Sequence, residues 1–377
     1  MLSQARLDVE NATDENWKIL LGLFPDGWQQ QAVLSGALER LRGFRTPDDL
    51  LRTLLMHVGK GYSLRETAVR ARAAGIAQVS DVALLKRLRK VEAWWHGLCA
   101  ALLRESGWEM RADSRGYRVR ALDGTLVQEP GRGGRLWRIH YSLQIPSLIC
   151  DYLELTPIQG RGTGEVLERF PAAPGDLVLA DRAFSKPAGV EMLNRQGAAV
   201  AVRLNTSSLP LWTTQQKAFP LREQLRRLQE PGQSQDWEVC VGGPEQPVAG
   251  RLCAVRKSEE ATQRAQRIIR RKAQQGGPET RPETLEYAAY VLVFTTLPSG
   301  QFRCSEVLEW YRVRWQIELV FKRLKSLAQL GHLPTHDRQS SRAWLYGKLL
   351  LALLGQKLNR MGRDISPWGY QLPANSQ

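Results

Sequence analysis

Leu177-Val178-Leu179-Ala180-Asp181 is an unbroken apolar run closed by an acid. Such a run, with no polar alternation, marks a strand buried on both faces of a sheet. The strand would present Asp181 at its C-terminal end, where open α/β sheets place their ligands. Downstream, the pattern predicts a helix over Lys186 to Arg195 and a strand over Ala198 to Leu204. Upstream, Tyr117, Val119, Ala121 and Asp123 alternate on one face until Gly124 breaks the run. Trp137 to Ile145 and Leu148 to Leu155, parted by Pro146 and Ser147, complete a three-stranded antiparallel meander, and Glu165 to Phe170 forms a short helix. A meander followed by alternating helix and strand is the order of a ribonuclease-H-like α/β core.

The flanks differ. Residues 1–110 have few β-branched residues and apolar positions at helical spacing, as in a helical domain. Within 60–92, Ser63 and Glu66 form a capping box, Gly75 stops a helix, and Ser80-Asp81 start another carrying Lys86, Arg87, Arg89 and Lys90. Two short helices with a basic second member suggest a helix-turn-helix reader of DNA; a helical bundle with a solvated basic face is the alternative. Residues 207–286 form an insertion with strand-like pieces, Trp237 to Val241 and Gly250 to Val255, and a basic stretch of Arg264, Arg267, Arg270, Arg271 and Lys272. That stretch suits phosphate tracking or a solvated helix face. Strands resume over Glu286 to Thr295, so the core comprises 111–206 and 287–335. In the helical segment 336–377, Ala343 to Leu354 is apolar around Lys348 and must be buried in its own chain or against a second subunit.

The chain has 377 residues, 53 Lys and Arg against 38 Asp and Glu, and a net charge of +15. Its length suggests two or three domains, and its charge favours a polyanion, because each neutralised phosphate releases condensed counterions. Cys99, Cys150, Cys240, Cys253 and Cys304 are scattered without a C-x-x-C pair, as reduced thiols are. His332 and His336 have a ligand spacing, but Pro334 intervenes and no cysteine is near, which argues against zinc. Asp8, Glu10, Asp14 and Glu15, with no apolar h-region among them, argue against a signal peptide. The run Leu349 to Leu354 is far short of the ~20 residues a bilayer span needs, so no membrane is expected and a cytoplasmic protein is.

A helix over Ser305 to Gln329 would carry Tyr311, Arg314, Glu318 and Lys325 within an arc of roughly 60°. Trp310, Val313, Ile317, Val320, Phe321, Leu324 and Leu327 fall on the opposing, docking side. The polar stripe alone could be a set of helix ion pairs. Its spacing, however, Tyr-(2)-Arg-(3)-Glu-(6)-Lys, resembles the signature of bacterial insertion-sequence transposases of the IS-four, or Tn-five-like, family. Ala121-Leu122-Asp123-Gly124-Thr125 resembles that family's first-aspartate strand, and Leu179-Ala180-Asp181-Arg182-Ala183-Phe184 its second. The resemblance spans roughly residues 60 to 355.

It implies a DDE transposase in which Asp123, Asp181 and Glu318 hold two Mg²⁺ ions, or Mn²⁺ in their place. The chemistry independently favours such a trio, since displacement at a phosphodiester needs an activated oxygen nucleophile and a stabilised leaving oxygen, and hard carboxylates select such ions. Asp151 and Glu154 are the rival acids. The resemblance further assigns Tyr311, Arg314, Lys325, Arg182 and Arg203 to DNA contacts. Tyr290, with Trp237 behind it, is nearest the place of a base-stacking aromatic used on a DNA hairpin, although core packing suits both. A homodimer on double-stranded transposon ends and target DNA is also implied, with each active site cutting the end its partner reads. A domesticated DNA-binding protein and a metal nuclease without strand transfer are the competing functions.

Overall fold

The computed structural model describes residues 16–105, 115–131, 136–243, 245–275, 281–326, 328–331, 333–334 and 337–363. His332, His336 and the acidic N-terminal residues, on which the sequence reading touched, lie outside these.

Helices come first: α1 (Trp28–Leu34), α2 (Pro47–Lys60), α3 (Leu64–Ala73), α4 (Asp81–Lys90) and α5 (Glu92–Glu105). Their boundaries follow from local chemistry. Thr46, Ser63 and Ser80 each accept a backbone N–H of the first turn, and Pro47 occupies a first position where no donor is needed.

An eight-stranded mixed sheet follows, in the order β3-β2-β1-β4-β5-β8-β7-β6. Its strands are β1 (Arg118–Gln128), β2 (Leu136–Ile145), β3 (Cys150–Pro157), β4 (Asp176–Ala180), β5 (Ala199–Arg203), β6 (Ser234–Val241), β7 (Val248–Arg256) and β8 (Tyr290–Thr295). β1 to β3 form the expected antiparallel meander, and β4 and β5 join parallel to β1. Every residue of β4 is buried, as its apolar run required. Helix α6 (Pro187–Arg195) makes the crossover between β4 and β5.

The insertion carries α7 (Leu221–Leu225), β6, β7, α8 (Glu259–Gln274) and α9 (Pro282–Tyr287). It extends the sheet itself, because β7 pairs antiparallel with β8 and β8 with β5. Arg251 of β7 anchors it: buried, it donates to the carbonyls of Leu297 (3.0 Å) and Phe302 (2.5 Å) and to Asp236 (2.6 Å).

The chain then runs through α10 (Cys304–Val313) and α11 (Gln316–Ser326) to α12 (Arg338–Arg363). α12 packs against α5, α4 and α2, so its apolar run is covered by its own chain, with Lys348 buried and its ammonium 5.0 Å above the Trp344 ring. One hydrophobic cluster joins these helices to one face of the sheet, from Leu23 through Ala121 and Leu179 to Leu354. A second fills the opposite face, under α6 and the insertion. None of the described helices is long and apolar enough to cross a membrane.

Four local expectations are corrected. Gly124 does not end its strand; β1 runs on through it to Gln128. Glu165 to Phe170 contains one 3₁₀ turn, Leu167–Arg169, where a helix was expected. Residues 286–289 belong to the end of α9 and its turn, and β8 starts at Tyr290. The helix expected over Ser305 to Gln329 is two helices, with short i to i+3 bonds at the break: Arg314 N–H to the Tyr311 carbonyl (3.1 Å) and Glu318 N–H to that of Trp315 (3.0 Å). The cause lies in the sheet. α10 packs on β4 to β8 while α11 packs on β1, and a straight rod cannot follow a twisted sheet across that span.

Candidate active site beside strand β1 at the end of β4

β1 and β4 run parallel and side by side, with Leu122 level with Ala180, so Asp123 and Asp181 follow at adjacent strand positions. Both fall in the alternation that puts Ala121 and Leu179 on the helical side of the sheet. Each is braced locally: Asp123 Oδ1 accepts the Gly124 N–H (2.7 Å), and Asp181 Oδ1 caps the following turn through the Ala183 N–H (2.9 Å).

The helix break supplies the third acid. Arg314 sits at the junction, with Nη1 3.3 Å from Asp123 Oδ2 and Nη2 2.7 Å from Glu318 Oε1. Its carbon lies 5.7 Å from the centre of the Tyr311 ring. Burial opposes the Arg314 charge, but Tyr311, Glu318 and Asp123 outweigh it, and its pKa is raised. The Glu318 side chain remains 58 % exposed.

Asp123 shows what this arrangement lacks. Burial raises its pKa to about 7; the Gly124 N–H lowers it, Asp181 raises it further, and Arg314 offsets only part of the rise. Among the described residues no three acid, imidazole or thiol side chains are gathered closely enough to hold a metal ion as they stand. The guanidinium stands between two of the acids instead. Positive charge between hard oxygen donors, one of which, Asp123, burial holds towards its protonated form, is the setting a divalent cation fits.

Beside the acids lies a cationic group. Arg182 follows Asp181, and Arg203 ends β5 with its Nε buried and lacking a hydrogen-bond partner among the described residues. Lys257, just after β7, donates to the Ala288 carbonyl (2.7 Å), and burial together with Arg203 and Arg182 lowers its pKa to about 8. Lys257 escaped the sequence reading because only the pairing of β7 with β8 carries it across from the insertion.

A fourth carboxylate, Glu165, was also missed. It precedes β4 on the loop from β3, and burial raises its pKa, with Arg138 and Lys186 opposing the rise and Asp181 adding to it. The sequence signal was Gly124, since a glycine inside a strand marks a close approach.

The other expected residues are placed as follows. Lys325 is on α11, half-buried. Tyr290 is buried in the sheet core, its hydroxyl accepting from Arg256 (3.3 Å), and Trp237 packs against Phe219. The exposed aromatic at the break is Trp315. On α4, Arg87 donates to the Arg40 carbonyl, Arg89 pairs with Asp337 (3.0 Å) and Lys90 with Glu39 (2.9 Å), while Lys86 is exposed. The rival acids are occupied: Asp151 pairs with buried Arg120 (2.7 Å), and Glu154 with Arg169 and the Tyr152 hydroxyl (2.8 Å).

Residues 160–354 match the family described as the transposase DDE domain, a span that includes Asp181 and Glu318 and starts after Asp123. The chain is 33 % identical over 365 residues to the putative transposase InsL for insertion sequence element IS186A of Escherichia coli strain K12, covering 95 % of this chain and 97 % of that one. It is 32 % identical over 366 residues to the transposase for insertion sequence element IS421 of Escherichia coli, with the same coverage. The transposase for IS231F of Bacillus thuringiensis subsp. israelensis is more distant, at 24 % over 196 residues, 48 % of this chain and 41 % of that one.

Proposed function

The chain belongs to the DDE transposases of bacterial insertion sequences, enzymes that cleave and transfer DNA with a divalent metal, and from that premise we propose that Asp123, Asp181 and Glu318 are its catalytic acids. The single observation that carries this is the Arg314 bridge, which links the β1 acid to the α11 acid beside the end of β4. The signature Tyr311, Arg314, Glu318 and Lys325 supports membership of the IS-four group. The strand order β3-β2-β1-β4-β5 supports a ribonuclease-H-like core at 111–206 and 287–335, with the insertion at 207–286 widening its sheet.

The three acids would hold two Mg²⁺ ions or Mn²⁺; when bound, such ions supply a nucleophilic oxygen at neutral pH and stabilise the departing one. The chain's own residues do the remaining work. Arg182, Arg203 and Lys257 form a cationic wall on which the DNA backbone phosphates rest. Arg314 offsets the charge of Asp123 and Glu318 in the free protein, and its guanidinium would be available to a DNA phosphate where those acids hold metal instead. Trp315, exposed beside Arg314, is better placed than buried Tyr290 to stack on a base turned out of the helix during hairpin formation. On α4, Lys86 is the basic residue not engaged by an acid or carbonyl in the described contacts, and residues 1–110 would meet the terminal repeat through that side. Action as a homodimer on paired ends, cut and then joined to target DNA, completes the reading.

The test uses duplexes bearing the element's terminal repeats. Glu318→Gln should abolish cleavage with end binding retained, and the native protein should join pre-cut ends to a target plasmid. Retained cleavage in Glu318→Gln removes that acid from the site, and absence of joined product from the native protein leaves a metal nuclease without strand transfer.

A further inference from the structure

We propose that Glu165 is a fourth carboxylate of the metal centre, reaching Asp123 and Asp181 from the opposite face of the sheet across the bare backbone of Gly124. This rests on the assignment of Asp123, Asp181 and Glu318 as the metal-binding acids.

Gly124 lies in the interior of β1, opposite His140 of β2, where glycine weakens a strand and no turn calls for it. A Cβ at Gly124 would stand 2.4 Å from Glu165 Oε1 and 3.2 to 3.3 Å from its Cδ and Cγ. The missing side chain is therefore the space into which this carboxylate is inserted. Asp123, the neighbouring residue, points to the other face, so the two acids flank one edge of the same strand. Both Asp123 and Asp181 lie within electrostatic reach of Glu165.

The loop bringing Glu165 there is tied in place. Lys186 Nζ donates to the Glu165 carbonyl (3.3 Å), Arg138 Nη1 to the Thr163 carbonyl (2.8 Å), and Thr163 Oγ1 to the carbonyls of Ile158 (3.2 Å) and Gly160 (3.0 Å). A purely structural partnership with Arg138 accounts poorly for the placement. That contact is long, 3.6 Å from Nε to Oε1, and a carboxylate needed only for Arg138 has no reason to be pressed against Gly124. Arg138 and Lys186 offset part of the cost of a third acid beside the aspartates, burial and Asp181 outweigh them, and hard oxygen ligands are what Mg²⁺ and Mn²⁺ collect.

The experiment is titration of the metal-free full chain with Mn²⁺ alone, read by calorimetry and by the melting-temperature rise at saturating Mn²⁺. Glu165→Gln should weaken binding by about tenfold or more. Gly124→Ala retains the acid but pushes its carboxylate aside, and should weaken binding in the same direction, which keeps the proposal testable if Glu165→Gln does not fold. Asp123→Asn serves as reference. Native-like Mn²⁺ affinity in Glu165→Gln or Gly124→Ala, with Asp123→Asn impaired, overturns the role of Glu165 and leaves the three-acid site standing. Native-like affinity in Asp123→Asn as well would instead reject the parent assignment.

Discussion

Arg314 Nη1 lies 3.3 Å from Asp123 Oδ2, a contact between residues 191 positions apart that places a cation between the Asp123 and Glu318 carboxylates. On the proposed assignment, metal and guanidinium would compete for the same oxygens. Arg314→Ala should bind Mn²⁺ several-fold more tightly in the absence of DNA while cleaving end DNA far more slowly. Calorimetry and a cleavage assay measure the two effects, and weaker Mn²⁺ binding in the variant would remove Arg314 from the space between the acids.

The raised Asp123 pKa, about 7 against an ordinary 3.8, makes metal-free stability depend on pH. Between those values the folded state binds more protons than the unfolded one, so this contribution is fully present below pH 3.8 and is lost as pH rises through about 7. Asp123→Asn should therefore melt higher than the native protein at pH 8 without metal, by an amount worth a few kcal/mol at most, and the gap should close towards pH 4. Equal melting temperatures at pH 8 would contradict the buried, uncompensated carboxylate.

Asp151 separates structural acids from catalytic ones. Its carboxylate meets Arg120 at 2.7 Å inside the sheet's edge, and Arg120 also reaches Asp176 (3.4 Å) and the Pro171 carbonyl (2.5 Å). Asp151→Asn should cost roughly 3 kcal/mol of stability by leaving a buried guanidinium short of charge. Mn²⁺ affinity should stay native in the same preparation; a loss there would move Asp151 into the site.

Arg251 tests whether the insertion is part of the core. Arg251→Met strands Asp236 and two carbonyls, and should destabilise the protein by about 3 kcal/mol, seen in urea unfolding as one cooperative transition at lower midpoint. Independent unfolding of the insertion would show that the shared sheet does not couple it to the rest.

Lys257 tests the cationic wall. Lys257→Ala should weaken binding to any duplex alike and reduce the slope of log affinity against log salt by about one. A loss confined to terminal-repeat sequences would instead assign it a base contact.

Local chemistry wrote much of this protein legibly. The β4 run had to be buried because nothing in it is polar, the β1–β3 meander followed from alternation and its Pro146-Ser147 turn, and the serine caps set the starts of α3 and α4. The stretch Tyr311, Arg314, Glu318 and Lys325 could be singled out for a similar reason: its spacing is a short-range pattern.

What the chain order could not supply was decided by long-range pairing. The twist of the sheet divides the signature segment into α10 and α11, turning Tyr311 inward and leaving Trp315 outside. The β7–β8 ladder brings Lys257 beside Arg182 and Arg203. Gly124 announced that something comes close, yet the identity of Glu165 required the backbone of β1 and the β3–β4 loop in space. Sequence patterns record which residues can occupy strand, helix or turn, because those preferences act over a few bonds; which charges meet depends on hydrogen bonds and packing that close over far longer stretches of chain, such as the 191 positions separating Asp123 from Arg314.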